Sequence, residues 1–433
     1  MSTTPDHAER DRIWTVDEHL DDILRNLTPL DPADLPILDA HGCVLAEDVT
    51  VPVALPPFDN SSMDGYAVRT ADVAGATGDA PRVLTVIGDV HAGLGELPTV
   101  RPGEAARIMT GAPLPPGADA VVPVEWTDAG SGAGPAIAMR AHSADPSGAT
   151  GEVRVHRPVE PGGHVRARGS DVTEGELALA AGTLLGPPQI GLLAAVGRAR
   201  VRVRPRPRVV VISTGSELVP PGEQLTPGRI HDSNSYALVA AARDAGADAR
   251  RVDAVADEVA SLRAVVAQQL SGADIVVTSG GVSVGAYDVV KEALGGEDGM
   301  QFRKLAMQPG KPQGFGLIGP GRTPLFGLPG NPVSSYVSFE LFVRPAIRAL
   351  MGIEPARRET VRARCTGEIT HSPKGRRQFL RGRYDPEGGT VAPVGGSGSH
   401  LVKALAHADA LIVVPEDVTD VTPGTDVEVI LLT

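Results

Sequence analysis

Cysteine is nearly absent from this chain of 433 residues: Cys43 and Cys365 are the only two. They are too few and too far apart for a disulfide framework or a paired-cysteine zinc site, and they suit a reducing compartment. Aromatic side chains are also scarce, with 7 Phe, 5 Tyr and 2 Trp, so a base-stacking nucleic-acid platform is poorly supplied. Lys plus Arg number 40 against 53 Asp plus Glu, a net charge of −13, which argues against a partner held by its phosphate backbone. Any anionic ligand must be held locally. No apolar run approaches the ~18 residues of a membrane span, and the polar opening MSTTPDHAERDR has no apolar signal core. A cytoplasmic protein is expected, with no nucleic acid and no membrane among its partners.

Glycine and proline are plentiful instead, at 51 and 38 residues. At roughly 150 residues per domain the length implies two to four domains. Thr15-Val-Asp-Glu18 reads as a capping box opening a helix that ends near Leu27. Short β-branched runs follow, and from Pro52 many short apolar pieces alternate with Gly/Pro/Asp turns, the pattern of a small β-rich domain. Residues 150–185 resemble the stretch before Pro52, so the middle domain reads as an insertion. RARVRVRPRPR at 198–208 reads as an edge strand and linker. Beyond it, strands at 209–213, 249–255 and 275–278 alternate with helices at 235–245, 258–270 and 289–294, which predicts a parallel, doubly wound sheet. A long helix over 332–351 closes that domain, and short strands fill the tail. The expected division is 8–50 with 150–188, 51–149, 189–353 and 354–433. The fold class is multidomain α/β plus β: a central three-layer α/β/α domain with β-rich N-terminal, inserted and C-terminal domains.

Ligands of such sheets bind beyond the carboxyl ends of the strands. Three loops there are equipped for chemistry. Thr214-Gly-Ser-Glu-Leu218 places Glu217 at the rim. Ser279-Gly280-Gly281-Val-Ser283-Val-Gly285 offers backbone N–H groups and hydroxyls as an anion nest. Gly327-Leu-Pro-Gly330-Asn331-Pro332-Val-Ser334 feeds a helix with free N–H groups and makes a second cradle. The second loop has Walker spacing, but Ala286 and Tyr287 replace Lys and Ser/Thr, which excludes a P-loop NTPase. Its GVSVG also matches the nucleophile elbow of α/β serine hydrolases, leaving Ser283 as a competing nucleophile. Against it, no HGG-type oxyanion segment precedes, and His371, His400 and His407 fall in the β-rich tail.

Asp64, Glu217, Asp257 and Asp288 are the carboxylates nearest these motifs. Each has an ordinary use: Asp64 in a turn before Gly65, Asp257 as an N-cap, Asp288 beside a helix start. Together, acids beside phosphate-type nests describe a Mg²⁺ site. Lys291, Lys304 and Lys311 are the nearby cations, and the loop Met307-Gln-Pro-Gly-Lys311-Pro312 fixes Lys311. The residues therefore point to a phosphorylated, nucleotide-bearing ligand and Mg²⁺ at the α/β domain, with the reaction open.

FDNSSMDGYAVR, RIMTGAPLPPGADAVVPVE, VVVISTGSELV, HDSNS, VVTSGGVSVGAYDVVKEAL, LAMQPGKPQGFG and GLPGNPVSSYVSFELFVRP, in this order over nearly the whole chain, resemble the MoeA-type molybdopterin molybdenumtransferases, also found as the E domain of gephyrin. The resemblance implies insertion of molybdate into adenylylated molybdopterin with loss of AMP, dependence on Mg²⁺, and a four-domain homodimer. It further implies possible contact with the adenylyltransferase that makes the substrate. It places catalytic residues at Asp64, Thr110, Glu217, Asp257, Asp288 and Lys304, with Glu217, Asp257 and Asp288 on the metal and Asp64 completing a cleft across the dimer. It places the molybdate pocket at Ser283, Lys311, Arg381 and Ser399, with Ser279, Gly280, Gly281, Pro312, Gly330, Asn331 and Ser334 lining the substrate site. Gln308 stands where many members carry Lys, one positive charge fewer beside the oxyanion. A gephyrin-like scaffold without catalysis is the remaining alternative.

Overall fold

The computed structural model describes residues 12–93, 95–132, 134–139, 151–281, 289–295 and 299–432. The chain gathers into two compact units, one of residues 1–46, 182–186 and 201–433, the other of 47–181 and 187–200.

The first unit is built on a seven-stranded sheet in the order Ile13–Trp14, Met300–Leu305, Pro312–Ile318, Thr323–Leu328, Ile275–Ser279, Arg208–Thr214, Asp248–Val255. Side chains alternate across it as strand geometry requires. Val209, Val211, Ile275 and Val277 face a core shared with helices Val16–Arg25 and Asn234–Asp244 and with the chain from Pro332 to Leu350. Val210, Ile212 and Val276 face the opposite core, with Leu262 and Val266 of helix Val259–Leu270 and Val290 of helix Val289–Leu294. This is the expected α/β/α sandwich. The sheet is mixed, however, and the fully parallel expectation is corrected: Met300–Leu305 with Pro312–Ile318, and Pro312–Ile318 with Thr323–Leu328, run antiparallel. The links 306–311 and 319–322 are too short for the dozen or more residues a parallel crossover needs.

The Thr15 capping box forms as read, with Glu18 N donating to Thr15 Oγ1 and Thr15 N donating to the Glu18 carboxylate, and the helix ends at Arg25. The helix read as continuous over 332–351 is instead an α-helix Pro332–Ser338, a π-turn Phe339–Val343 and an α-helix Arg344–Leu350. Strand Arg200–Arg204 lies between Ala33–Pro36 and Val44–Leu45, so the edge-strand reading is also corrected. Buried Val201 and Val203 alternate with exposed Arg200 and Arg202, and one hydrophobic face anchors the strand.

The tail of this unit is a closed barrel. Strands run in the order Arg377–Asp385, Thr390–Pro393, Thr360–Cys365, Asp426–Leu431, Ala410–Val414, and the last pairs back onto the first. Met307–Gln308 adds to it beside Arg377 and Gln378, which ties the barrel to the loop carrying Lys311.

The second unit holds a five-stranded sheet, Gly151–Val155, Arg82–Val90, Glu104–Ile108, Gly65–Val68, Ala120–Pro123, over a core of small residues with Tyr66 and Leu84. Its interior holds the ion pair of Arg107 and Asp89, with Arg107 Nε donating to Asp89 Oδ1 at 2.6 Å and a second bond from Nη2 to Oδ2. A buried pair held by two bonds satisfies charges that would otherwise be costly there.

Candidate functional site

A cleft of about 860 Å³ opens in the first unit at the carboxyl ends of its strands. Strand Arg208–Thr214 delivers Ser213, Thr214, Gly215 and Glu217, strand Asp248–Val255 leads to Asp257, and strand Ile275–Ser279 delivers Ser279, Gly280 and Gly281. Strand Thr323–Leu328 feeds Gly330, Asn331, Pro332 and Ser334, while the 307–312 loop brings Gln308, Lys311 and Pro312. The barrel adds Arg376, Ser397, Ser399 and His400.

Glycine is required where the loops touch. A Cβ on Gly280 would lie 2.6 Å from the Thr214 carbonyl oxygen and 2.8 Å from its hydroxyl, and the backbone there has φ +105°. Gly330 passes the same spot, where an added Cβ would lie 3.4 Å from the Gly280 Cα. The two anion cradles read from the sequence are therefore adjacent walls of one cleft. Asn234 fastens them: its side-chain N–H₂ donates to Ser279 Oγ at 2.9 Å and to the Gly330 carbonyl at 2.7 Å. Ser279 Oγ also meets Ser335 Oγ at 3.2 Å. The Thr214 hydroxyl is buried with no partner among the described residues, an unused polar group in the cleft floor.

The carboxylates divide by role. Asp232 is buried and committed, accepting from Ser213 Oγ at 2.9 Å and from the Ser235 N–H and hydroxyl at 3.1 and 2.5 Å. Asp257 is exposed, and it is not the N-cap, a position held by Glu258. Instead Ser216 N donates to Asp257 Oδ2 at 3.1 Å while Asp257 N donates to Ser216 Oγ at 3.2 Å, locking the Glu217 loop to the Asp257 loop. Glu217 is exposed at the rim. Two carboxylates on coupled loops beside phosphate-type nests fit Mg²⁺, which takes one or two protein carboxylates and fills its octahedron with phosphate oxygens and water. Among the described residues no group of three or more His, Cys, Asp or Glu side chains converges.

Of the residues named from the sequence, the cleft thus gathers Glu217, Asp257, Ser279, Gly280, Gly281, Lys311, Pro312, Gly330, Asn331, Ser334 and Ser399. Ser283 and Asp288 lie outside the described residues. Lys304 does not line the cleft; it is exposed on strand Met300–Leu305. Arg381 is not among the side chains lining the cleft and stands at the barrel strand Arg377–Asp385. It is 2 % exposed, its side chain donates to the Gly396 carbonyl, and its buried Nε has no partner among the described residues. Burial lowers its pKa from the ordinary guanidinium value. Asp64 and Thr110 belong to the second unit, where the Thr110 N–H and hydroxyl both donate to Asp64 Oδ1, at 2.8 and 2.9 Å.

Sequence reading missed Asn234, Asp232 and Arg376, and weighed His400 only as a hydrolase histidine. Asn234 and Asp232 sit in HDSNS, a motif noted only for its family likeness, and Arg376 was hidden in the basic run KGRR.

The chain matches three family descriptions in succession: the MoeA N-terminal region (domain I and II) over residues 14–197, a probable molybdopterin binding domain over 210–349, and the MoeA C-terminal region (domain IV) over 362–432. Molybdopterin molybdenumtransferase 2 of Mycobacterium tuberculosis is 44 % identical over 421 residues, covering 96 % of this chain and 98 % of that one. The molybdopterin molybdenumtransferase of Bacillus subtilis is 35 % identical over 393 residues, 90 % of this chain and 87 % of that one. A solved structure titled as the molybdopterin biosynthesis MoeA protein of Pyrococcus horikosii superposes with a TM-score of 0.73 at 35 % identity, covering 98 % of this chain and 100 % of that one. Because these likenesses run from the N-terminal helix through the α/β cleft to the closing barrel, the chain belongs to the MoeA family of molybdopterin molybdenumtransferases.

Proposed function

We propose that this chain acts in molybdenum cofactor biosynthesis, inserting molybdate into adenylylated molybdopterin and releasing AMP. One observation carries the reading: in a chain that matches its relatives over nearly all of its length, a single cleft combines two glycine-lined anion cradles, coupled carboxylates and cations without acidic partners among the described residues. Such a cleft suits a ligand with phosphates at one end and an oxyanion at the other.

The chain's own groups divide the work. The Ser279–Gly281 and Gly330–Ser334 walls hold phosphate oxygens through backbone N–H groups and hydroxyls, and Asn234 keeps the two walls in register. Lys311 supplies a point charge and Ser399 a hydroxyl on the oxyanion side. Asp257 and Glu217 are the carboxylates that would hold Mg²⁺, with Asp288 a third candidate. When bound, Mg²⁺ supplies Lewis acidity that stabilises charge on the departing AMP phosphate. Holding pterin dithiolene and molybdate in one cleft replaces a bimolecular encounter with an oriented one. The family's further properties, a homodimeric state, a cytoplasmic location, contact with the adenylyltransferase and roles for Asp64, Thr110 and Lys304, complete the proposal. A GxSxG hydrolase and a non-catalytic scaffold are not favoured, since the relatives matched along the whole chain are named as transferases.

The test is direct. Purified chain with adenylylated molybdopterin, Mg²⁺ and molybdate should release AMP and yield molybdenum cofactor that activates an apo-molybdoenzyme. Absence of both products would overturn the reading.

A further inference from the structure

The sheet gives the cleft an order. Its loops meet neighbouring strands in turn: Lys311 precedes Pro312–Ile318, Gly330 follows Thr323–Leu328, Gly280 follows Ile275–Ser279, Glu217 follows Arg208–Thr214, and Asp257 follows Asp248–Val255. At the usual spacing between strands, those carrying Lys311 and Glu217 lie about 14 Å apart, with both anion cradles between them. A ligand whose phosphates occupy the cradles therefore extends one end toward Lys311 and the other past Glu217 and Asp257. The dithiolene that accepts molybdate belongs to the pterin, so the pterin goes with Lys311. The nucleoside is left for the carboxylate end.

That end carries an aliphatic wall. Directly after Glu217, the short strand Leu218–Val219 pairs in parallel with Ile230–His231, and Leu218 and Ile230 both line the cleft. Ile230 is 54 % exposed. A lone exposed isoleucine on a loop would mean little. This one is held in place: Ile230 N donates to the Glu217 carbonyl and Asp232 N to the Val219 carbonyl, each at 2.9 Å, and Arg229 Nη1 donates to the Ser216 carbonyl. The neighbouring Asp232 is buried on Ser213 and Ser235, which ties the ribbon to the cleft floor. No Phe, Tyr or Trp lines the cleft among the described residues, so at this end the aliphatic pair is the surface offered to a flat heterocycle. A fixed apolar face inside a concave site gains when a ligand displaces its water.

We infer that Leu218 and Ile230 seat the nucleobase of the adenylyl group, so that this ribbon distinguishes a nucleotide leaving group from a bare sugar phosphate. The inference rests on the transferase reading above and names the residues that recognise the base of its leaving group. The base packs on the two side chains through apolar contact, and its phosphate reaches back to the cradles and the carboxylate-held cation.

The experiment uses the full chain with Mg²⁺ and two variants, Ile230→Ser and Ile230→Leu. Calorimetry measures the affinity of three probes: AMP, ribose 5-phosphate, which lacks the base, and molybdopterin, which lacks the adenylyl group. The unsubstituted chain should bind AMP more tightly than ribose 5-phosphate. Ile230→Ser should weaken AMP binding by about fivefold or more, leaving ribose 5-phosphate and molybdopterin unchanged. Ile230→Leu, which keeps an aliphatic face, should bind AMP like the parent. Unchanged AMP affinity in Ile230→Ser, or an equal loss for ribose 5-phosphate, would overturn the inference. A loss for molybdopterin alone would also overturn it, by moving the pterin to this wall, and an equal loss in Ile230→Leu would trace the defect to the ribbon's backbone. If the unsubstituted chain releases no AMP from adenylylated molybdopterin, the functional reading itself fails, an outcome separate from any of these.

Discussion

At the scale of single residues, chemistry here is decided by which polar groups have lost their water and what replaced it. His19 shows this away from the cleft. It is buried on helix Val16–Arg25, edge-on to Phe342 with ring centroids 4.8 Å apart, and its Nδ1 faces Arg303 Nη1 at 3.1 Å. Burial, reinforced by the Arg303 charge, depresses its pKa to about 3. The imidazole is therefore neutral and accepts the guanidinium hydrogen bond. Below about pH 6.5 the unfolded chain takes up a proton that the folded chain refuses, so stability falls as pH drops toward 3, by about 1.4 kcal/mol per pH unit. Replacement by Gln, which keeps an acceptor but does not titrate, should flatten that slope. Urea midpoints of both proteins at pH 7.5, 6 and 5 would show it, and equal slopes would refute it.

Among elements, the chain from Pro332 to Leu350 matters most, because one end borders the cleft and its middle is buried. Its π-turn places Glu340, 4 % exposed, against Arg358 at 2.9 Å and Arg344 at 3.8 Å. Burial and the neighbouring Glu340 raise the pKa of Tyr336, one turn earlier, so its phenol stays protonated. A π-turn shifts the helix by one residue and commonly persists where a side chain must be re-aimed. Glu340→Gln would leave two arginines in a dry site without a counter-charge. It should destabilise the fold by about 3 kcal/mol or more. A denaturant midpoint within error of the parent's would sink that account. The sequence showed a helix here but gave no sign of the π-turn, since hydrophobic spacing specifies the buried face and not the local hydrogen-bond pattern.

For the whole molecule, the net charge of −13 takes on a more specific meaning. Some of the acid is held in ion pairs such as Asp17 with Arg357 and Arg377, and Asp232 is held by buried hydrogen bonds. Glu217 and Asp257 are left exposed at the cleft, where a divalent cation would balance them. Chelation of Mg²⁺ should therefore abolish AMP release, with recovery on re-addition. Asp257→Asn should raise the Mg²⁺ concentration needed for half-maximal rate by about tenfold, while the Ser216 hydrogen bonds hold the loop in place. An unchanged Mg²⁺ titration would remove Asp257 from the metal site.

The sequence by itself determined which segments are strands and helices of the α/β core, because Val209–Ile212 and Ile275–Val277 must bury both faces and the capping box at Thr15 is local. It also determined the glycine-rich loops, whose residue types are dictated by close backbone approach. Only the tertiary structure decided which charges meet. The direction of Arg381 depends on closure of the barrel, where it pairs with Leu411 some thirty residues along the chain. Arg376 lines the cleft next to Arg377, whose N–H is bound to the Ala306 carbonyl about seventy residues away. Asn234 binds Ser279 and Gly330 across 45 and 96 residues. Local patterning fixes elements through nearest-neighbour sterics and burial, whereas the aim of a polar side chain is set by partners that become neighbours only when the chain has folded.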